Sequence, residues 1–235
     1  LVGENRIIAR CGLARLKTTG LIGLRELIEA SGLGGESIGA EQVGFTLGPR
    51  LNACGRMGHA REAVELLTTA DAPRAAEIAA SLNALNEQRR AVERRIFDQA
   101  LRILDASPTD PADRRSIVLA DEAWHAGVIG IVCSRLVGRF HRPTILLQRT
   151  EDELKGSCRS IEGFDICAAL HACADHLDRL APALTHLASL ARRPNAGLQR
   201  HWNQACSLIG KRAGEDEEFG LRRGRLPNVY WRNSS

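Results

Sequence analysis

At 235 residues, 44% hydrophobic and 26% charged, the chain has the composition of a soluble globular protein with room for one large or two small cores. Only 4% of residues are aromatic, which argues against base stacking on an aromatic platform, and no apolar run reaches the roughly 18 residues of a membrane helix. The net charge of +4 hints at a polyanionic partner, but residues 1–180 carry 23 Lys+Arg against 24 Asp+Glu and residues 181–235 carry 9 against 4, so the excess belongs to the end of the chain alone.

The opening Leu1-Val2-Gly3-Glu4-Asn5-Arg6 has neither a basic n-region nor a cleavage pattern, so it is not a signal peptide. It also lacks an initiator Met, and the expectation is that the true N-terminus lies upstream. Ile7, Ile8, Cys11 and Leu16 recur near helical spacing, as do Leu24, Leu27 and Ile28 before Gly32. A third short helix is predicted over Ala40–Leu47. Residues 1–70 thus read as a small helical subdomain that should pack against something apolar.

Gly48-Pro49-Arg50-Leu51-Asn52-Ala53-Cys54-Gly55-Arg56-Met57-Gly58 is dense in glycine and proline, and is predicted to be an irregular loop. Its Arg50, Asn52 and Arg56 could present planar donors to phosphates; a surface turn with solvated arginines is the alternative. A helix at Ala60–Thr68 follows. Asp71-Ala72-Pro73 then supplies an N-cap with proline in the first turn. Nothing breaks the helix from there to Leu104, and about 34 residues at about 1.5 Å each make a rod of about 50 Å.

Ile78, Leu82, Leu85, Val92 and Ile96 form one stripe on that rod, interrupted by the polar Asn86-Glu87-Gln88-Arg89-Arg90. A helix apolar at both ends and polar between suits a bridge between two domains, spanning 71–106. It equally suits one face of a bundle with the polar run as its solvated side.

Ser107-Pro108-Thr109-Asp110-Pro111 reads as a linker. Beyond it, residues 114–180 alternate strand and helix, the pattern of an α/β domain. A strand at Ile117–Ala120 is followed by a turn at Asp121-Glu122. A helix at Gly127–Phe140 should bury Val128, Ile131, Val132, Leu136 and Phe140. A uniformly apolar strand at Thr144–Gln148 suggests a sheet covered on both faces. The next strand carries Lys155-Gly156-Ser157-Cys158-Arg159-Ser160, and Phe164–Leu180 is predicted to be an amphipathic helix. Donor-rich, glycine-flanked residues so converge at a helix N-terminus and on a neighbouring strand, which suits a phosphate.

The seven cysteines, Cys11, Cys54, Cys133, Cys158, Cys167, Cys173 and Cys206, form no C-x-x-C pair. Scattered free thiols fit a reducing cytoplasm, the expected location, and give no ligand spacing for zinc. Asp121-Glu122 and Glu151-Asp152-Glu153 read as solvated turns. Past Leu180 no period is sustained, and residues 181–235 read as a divergent or disordered tail.

Two blocks together go beyond composition. Leu47-Gly48-Pro49-Arg50-Leu51-Asn52-Ala53-Cys54-Gly55-Arg56-Met57-Gly58 resembles a loop of the RecJ family in the DHH phosphoesterase superfamily. Trp124-His125-Ala126-Gly127-Val128-Ile129-Gly130-Ile131-Val132-Cys133-Ser134-Arg135-Leu136, His141-Arg142-Pro143 and Gly156-Ser157-Cys158-Arg159-Ser160 resemble its second, DHHA1 domain. The opening six residues are similar to the segment that follows the family's last metal-binding motif. The resemblance covers about residues 1–180 in order.

It implies a 5′→3′ exonuclease acting on single-stranded DNA with Mn2+ or Mg2+, in repair and recombination, with a single-strand-binding protein or a helicase as further partners. It implies that Ser157 and Arg159 bind the 5′ phosphate and that Arg50 or Arg56, with Asn52, contacts the DNA backbone. His125 is weighed between contacting a phosphate and forming a structural corner with Trp124. The sequence departs from the family in two places. It has no Asp-His-His triplet, so metal ligands are expected upstream of Leu1 and the chain alone is expected to be inactive. Leu180-Ala181-Pro182-Ala183-Leu184-Thr185-His186 replaces a Gly-Gly-His segment, which suggests a shifted reading frame or a divergent end. A non-catalytic phosphate-binding remnant, or a phosphodiesterase for short oligonucleotides or cyclic dinucleotides, are the alternatives.

Overall fold

The computed structural model describes residues 2–58, 60–107, 115–151 and 154–171, with the backbone of two short strands at 179–180 and 188–190. The linker at 108–111 and nearly all of the predicted tail lie outside these residues. The chain divides into two compact units, Leu1–Ala91 and Val92–Ser235, and the division falls inside one helix.

The first unit is helical: α1 (Gly3–Leu16), α2 (Ile22–Ala30), α3 (Ala40–Gln42), a π turn (Val43–Leu47), α4 (Gly48–Met57), α5 (Arg61–Thr68) and the start of α6 (Ala72–Asp105). Leu27, Ile28, Leu33, Ile38, Leu47, Cys54, Leu66, Ala75, Ile78 and Leu82 close its core, each large aliphatic side chain contributing about 1.5–3 kcal/mol by leaving water. Gly23 lets α2 approach α5 so closely that an added methyl would overlap the Leu66 carbonyl oxygen. Asp71 starts α6 by accepting from Arg74 N (3.0 Å), and Arg74 ties that start to α5 through Glu65 (2.7 Å).

Two expectations fail here, and one of two open readings of α6 is narrowed. The glycine- and proline-rich stretch is a helix, not a loop. Pro49 follows directly on the π turn, where the Gly48 N–H already reaches back to Val43 O, so its missing N–H and its ring disturb no regular i→i−4 ladder. Helix α1 buries none of its residues: Ile7 and Ile8 are exposed, and Leu16 alone among its residues packs against the core. The polar middle of α6 is not a solvated side throughout, because Asn86 and Arg89 are buried, with Arg89 Nη2 donating to Asn86 Oδ1 at 3.1 Å.

The second unit contains the rest of α6, β1 (Ile117–Asp121), α7 (Ala126–Phe140), β2 (Thr144–Arg149), β3 (Leu154–Arg159), α8 (Ile166–His171), β4 (Arg179–Leu180) and β5 (Ala188–Leu190). The sheet runs β1-β2-β3-β5-β4. β1 and β2 are parallel, joined through α7, and β2 and β3 form an antiparallel pair that sets Leu146 opposite Ser157 and Thr144 opposite Arg159. Ile145, Leu146 and Leu147 are all buried, as a strand covered on both faces requires.

Helix α7 packs on β2 and β3 and buries Val128, Ile129, Gly130, Val132, Cys133 and Leu136; Ile131 and Phe140, predicted inside, are half-buried. It ends at His141 in the left-handed conformation (φ 50°), whose N–H returns to Val137 O at 2.8 Å. The helix predicted over Phe164–Leu180 is shorter. Asp165 caps it by accepting from Ala168 N at 2.9 Å, leaving Phe164 outside, and Arg179–Leu180 form a strand beside β5.

Candidate nucleic-acid interface

On α4 the three predicted donors separate. Arg50 is only 8% exposed: Nε donates to Asn83 Oδ1 on α6 (2.9 Å) and Nη1 to Thr46 O (2.8 Å). Burial, and secondarily the charge of Arg90, lower its pKa from the ordinary arginine value. One edge of its fork therefore holds α4 against α6, and the other ties α4 back to the π turn. Asn52 and Arg56 stand one turn apart on the exposed face of the same helix. A helix sorts these residues by angle in a way that the expected loop could not.

In the second unit the sequence-predicted pair does come together. Ser157 and Arg159 lie two apart on β3 and so point to one face. Arg159 Nη1 donates to Ser157 Oγ (3.3 Å) and to Cys158 O (2.7 Å), while Nε donates to Ser134 Oγ on α7 (3.1 Å). Ser134 in turn bonds to Gly130 O at 3.2 Å. Gly130 faces the pair: a methyl added there would lie 2.8 Å from Ser157 Oγ and 3.3 Å from Arg159 Nη2. Cys133 lies behind, its thiol donating to Ser157 O at 3.1 Å, and burial pushes its pKa up to about 12. Burial raises the Cys158 pKa as well. Both thiols stay protonated at neutral pH and act as packing groups.

His125 is the N-cap of α7, its Nδ1 accepting from Gly127 N at 3.1 Å, which places the ring proton on Nε2. That cap satisfies one of the exposed N–H groups at a helix start suited to anions. Trp124 is packed rather than available for stacking: it is buried, and its indole N–H donates to Gln99 Oε1 at 3.1 Å. Asp121, read as solvated, accepts from Gln99 Nε2 (2.6 Å) and Ala123 N (2.9 Å) instead, because the turn after β1 folds back onto its carboxylate.

Sequence reasoning missed Ser134, Gly130, Asn83 and Gln99. Ser134 and Gly130 carry a readable signal, since i and i+4 on the predicted α7 share a face. Asn83 and Gln99 carry none, because their partners are distant in sequence. Among the described residues no group of three or more His, Cys, Asp or Glu side chains could hold a metal ion. The described residues therefore do not fit a two-metal centre, which needs several converging carboxylates.

The pair on β3 lies against the body of α7, at Gly130 and Ser134, rather than at its capped start, within a small α/β domain, and residues 114–178 match the DHHA1 domain. The chain belongs to the RecJ family of the DHH/DHHA1 phosphoesterases. It is 43% identical over 176 residues to the single-stranded-DNA-specific exonuclease RecJ of Bacillus subtilis, covering 74% of this chain and 22% of that protein. With the Salmonella typhimurium exonuclease of the same name it shares 36% identity over 190 residues, 78% of this chain and 32% of the relative. The crystal structure of RecJ with Mg2+ from Thermus thermophilus superposes with a TM-score of 0.74 at 31% identity, over 89% of this chain and 32% of that one. A structure of exonuclease RecJ bound to manganese gives 0.69 at 30% identity, over 93% and 53%. The chain thus spans about a third or less of the length of the curated relatives it matches. No helix among the described residues is long and apolar enough to cross a membrane.

Proposed function

We propose that this chain carries the strand-holding part of a 5′→3′ exonuclease for single-stranded DNA, serving repair and recombination in the cytoplasm, and does not hydrolyse DNA by itself. The observation that carries this reading is the arrangement of Arg159 and Ser157, a guanidinium fork and a hydroxyl on one face of β3. A terminal phosphate monoester carries about −1.5 to −2 charges at pH 7, more than an internal diester, and offers three oxygens to such a pair. Gripping the end in this way would set the direction of digestion.

Asn52 and Arg56, exposed one turn apart on α4, suit contacts to the phosphates of a nucleic-acid backbone; Arg50 supports them from inside the helix pair. His125 serves as the cap that shapes the start of α7. Mn2+ or Mg2+ would supply the hydrolytic chemistry through residues other than those described. A single-strand-binding protein or a helicase would deliver the strand.

The test is binding of the purified chain to oligothymidylate with and without a 5′ phosphate, with Arg159→Ala alongside. The phosphorylated strand is expected to bind about tenfold more tightly, and Arg159→Ala to remove the preference. Equal affinity for both strands would refute the end grip. Digestion of 5′-phosphorylated single strands by the chain with Mn2+ would refute its inactivity.

A further inference from the structure

We infer that Ser134, on α7, is a positioning residue for the end grip: it holds the Arg159 guanidinium in the plane in which, with Ser157, it meets a terminal phosphate. This deepens the reading of Ser157 and Arg159 above and rests on it.

An arginine side chain gives up much rotamer freedom when it is held, so a fork used for recognition works best when its orientation is set beforehand. Here the orientation is set from two sides. On β3 itself, Nη1 is tied to Ser157 Oγ and Cys158 O. From α7, Ser134 Oγ accepts from Nε at 3.1 Å and donates its own O–H to Gly130 O at 3.2 Å. The hydroxyl is thereby both donor and acceptor, and the Nε–H···Oγ–H···O=C series polarises in one direction.

The helix gains nothing from a serine at this position. Ser134 is exposed, and a serine bonding back to its i−4 carbonyl slightly weakens a helix where alanine would favour it. Gly130, one turn earlier on the same face, leaves the space in which Ser157 Oγ and Arg159 Nη2 sit. Gly130 and Ser134 together form a seat on α7 for the pair on β3.

The experiment compares affinities of the full 235-residue chain for oligothymidylate of one length bearing a 5′ phosphate or a 5′ hydroxyl. Because Ser134 is exposed, Ser134→Ala should unfold at the same temperature as the unsubstituted chain. It should lower the preference for the phosphorylated end about fivefold while leaving affinity for the hydroxyl end unchanged. Ser134→Thr, which keeps the hydroxyl, should restore the preference. Adding Ser134→Ala to Arg159→Ala should change nothing further, since the two act through one group. Independently of DNA, the Arg159 Nε–H should exchange faster with solvent in Ser134→Ala. An undiminished preference in Ser134→Ala, or an additive loss in the double variant, overturns the inference and leaves the end grip standing. No preference in the unsubstituted chain overturns both.

Discussion

Trp124 donates its indole N–H to Gln99 Oε1 at 3.1 Å, and the same amide donates from Nε2 to Asp121 at 2.6 Å. One side chain of α6 so fastens both the end of β1 and the residue just before the cap of α7. The approach to α7 is thus fixed by the side chain of a helix that precedes the sheet in sequence. Gln99→Leu keeps the volume but leaves a buried indole N–H and a half-buried carboxylate without this partner. The expected cost is about 2–3 kcal/mol, read as a lower urea midpoint at unchanged slope. Gln99→Glu, which keeps an acceptor for Trp124 but turns a second carboxylate toward Asp121, should recover less than half of it.

Gly130→Ala separates stability from function. Alanine favours a helix by up to about 1 kcal/mol, while its methyl must displace Ser157 Oγ from 2.8 Å, so the net stability change should stay within about 1 kcal/mol. Ser157 can move only by turning its hydroxyl away from Arg159 Nη1. Thermal melting and the ratio of affinities for phosphorylated and unphosphorylated strands should therefore diverge, the first nearly unchanged and the second lost.

In the first unit two glycines make a matched pair. Gly23→Ala drives a methyl into the Leu66 carbonyl oxygen, backbone that can yield only by parting α2 from α5, and should cost about 3 kcal/mol or more. Gly12→Ala, inside α1 with nothing within 4 Å, should instead stabilise by about 0.5–1 kcal/mol. Denaturant titration of the two variants checks both signs at once.

The Cys133 thiol gives a pH window. Its pKa is raised from the ordinary 9.0 to about 12 by burial, so the folded state holds a proton that the unfolded state gives up. Stability from this group is fully present below about pH 9 and falls as pH rises from about 9 to about 12. Cys133→Ser would confuse the test by adding a stronger polar group; Cys133→Ala should flatten this alkaline slope in urea midpoints measured across the window. At neutral pH iodoacetamide should modify the exposed Cys11 and Cys167 well before Cys133.

Much of the α/β part was legible because its signals are local. The run Ile117–Ala120, the apolar Thr144–Gln148 and the periodicity of Val128, Val132 and Leu136 each need only neighbouring residues to be read. The same holds for the uninterrupted α6 behind Asp71 and Pro73. The misread elements depended on remote partners or on a ladder defect. Gly48–Met57 looked like a loop because glycine and proline are counted as breakers, whereas a π turn prepares the backbone for Pro49. For the polar run of α6 a bridge and a solvated side stayed open together, because such a run gives no sign that Asn86 and Arg89 are buried. For the candidate site, Ser157 and Arg159 were singled out by the resemblance of Gly156–Ser160 to the DHHA1 domain, and their spacing of two on a strand accounts for their sharing one face. Arg50 was not seen to turn inward, since its partner Asn83 lies 33 residues away.

The pairing of β2 with β3 carries a kinetic consequence. These strands are joined by residues 150–153 alone, whereas β1 reaches β2 only after α7 has been laid across the sheet. Loop closure favours the short connection, so the hairpin bearing Ser157 and Arg159 is expected to be structured in the folding transition state and β1 to join afterwards. Leu146→Ala should then slow refolding in stopped-flow traces, while Leu119→Ala should chiefly hasten unfolding. The end grip would be assembled early, on the segment whose sequence sets how fast the second unit folds.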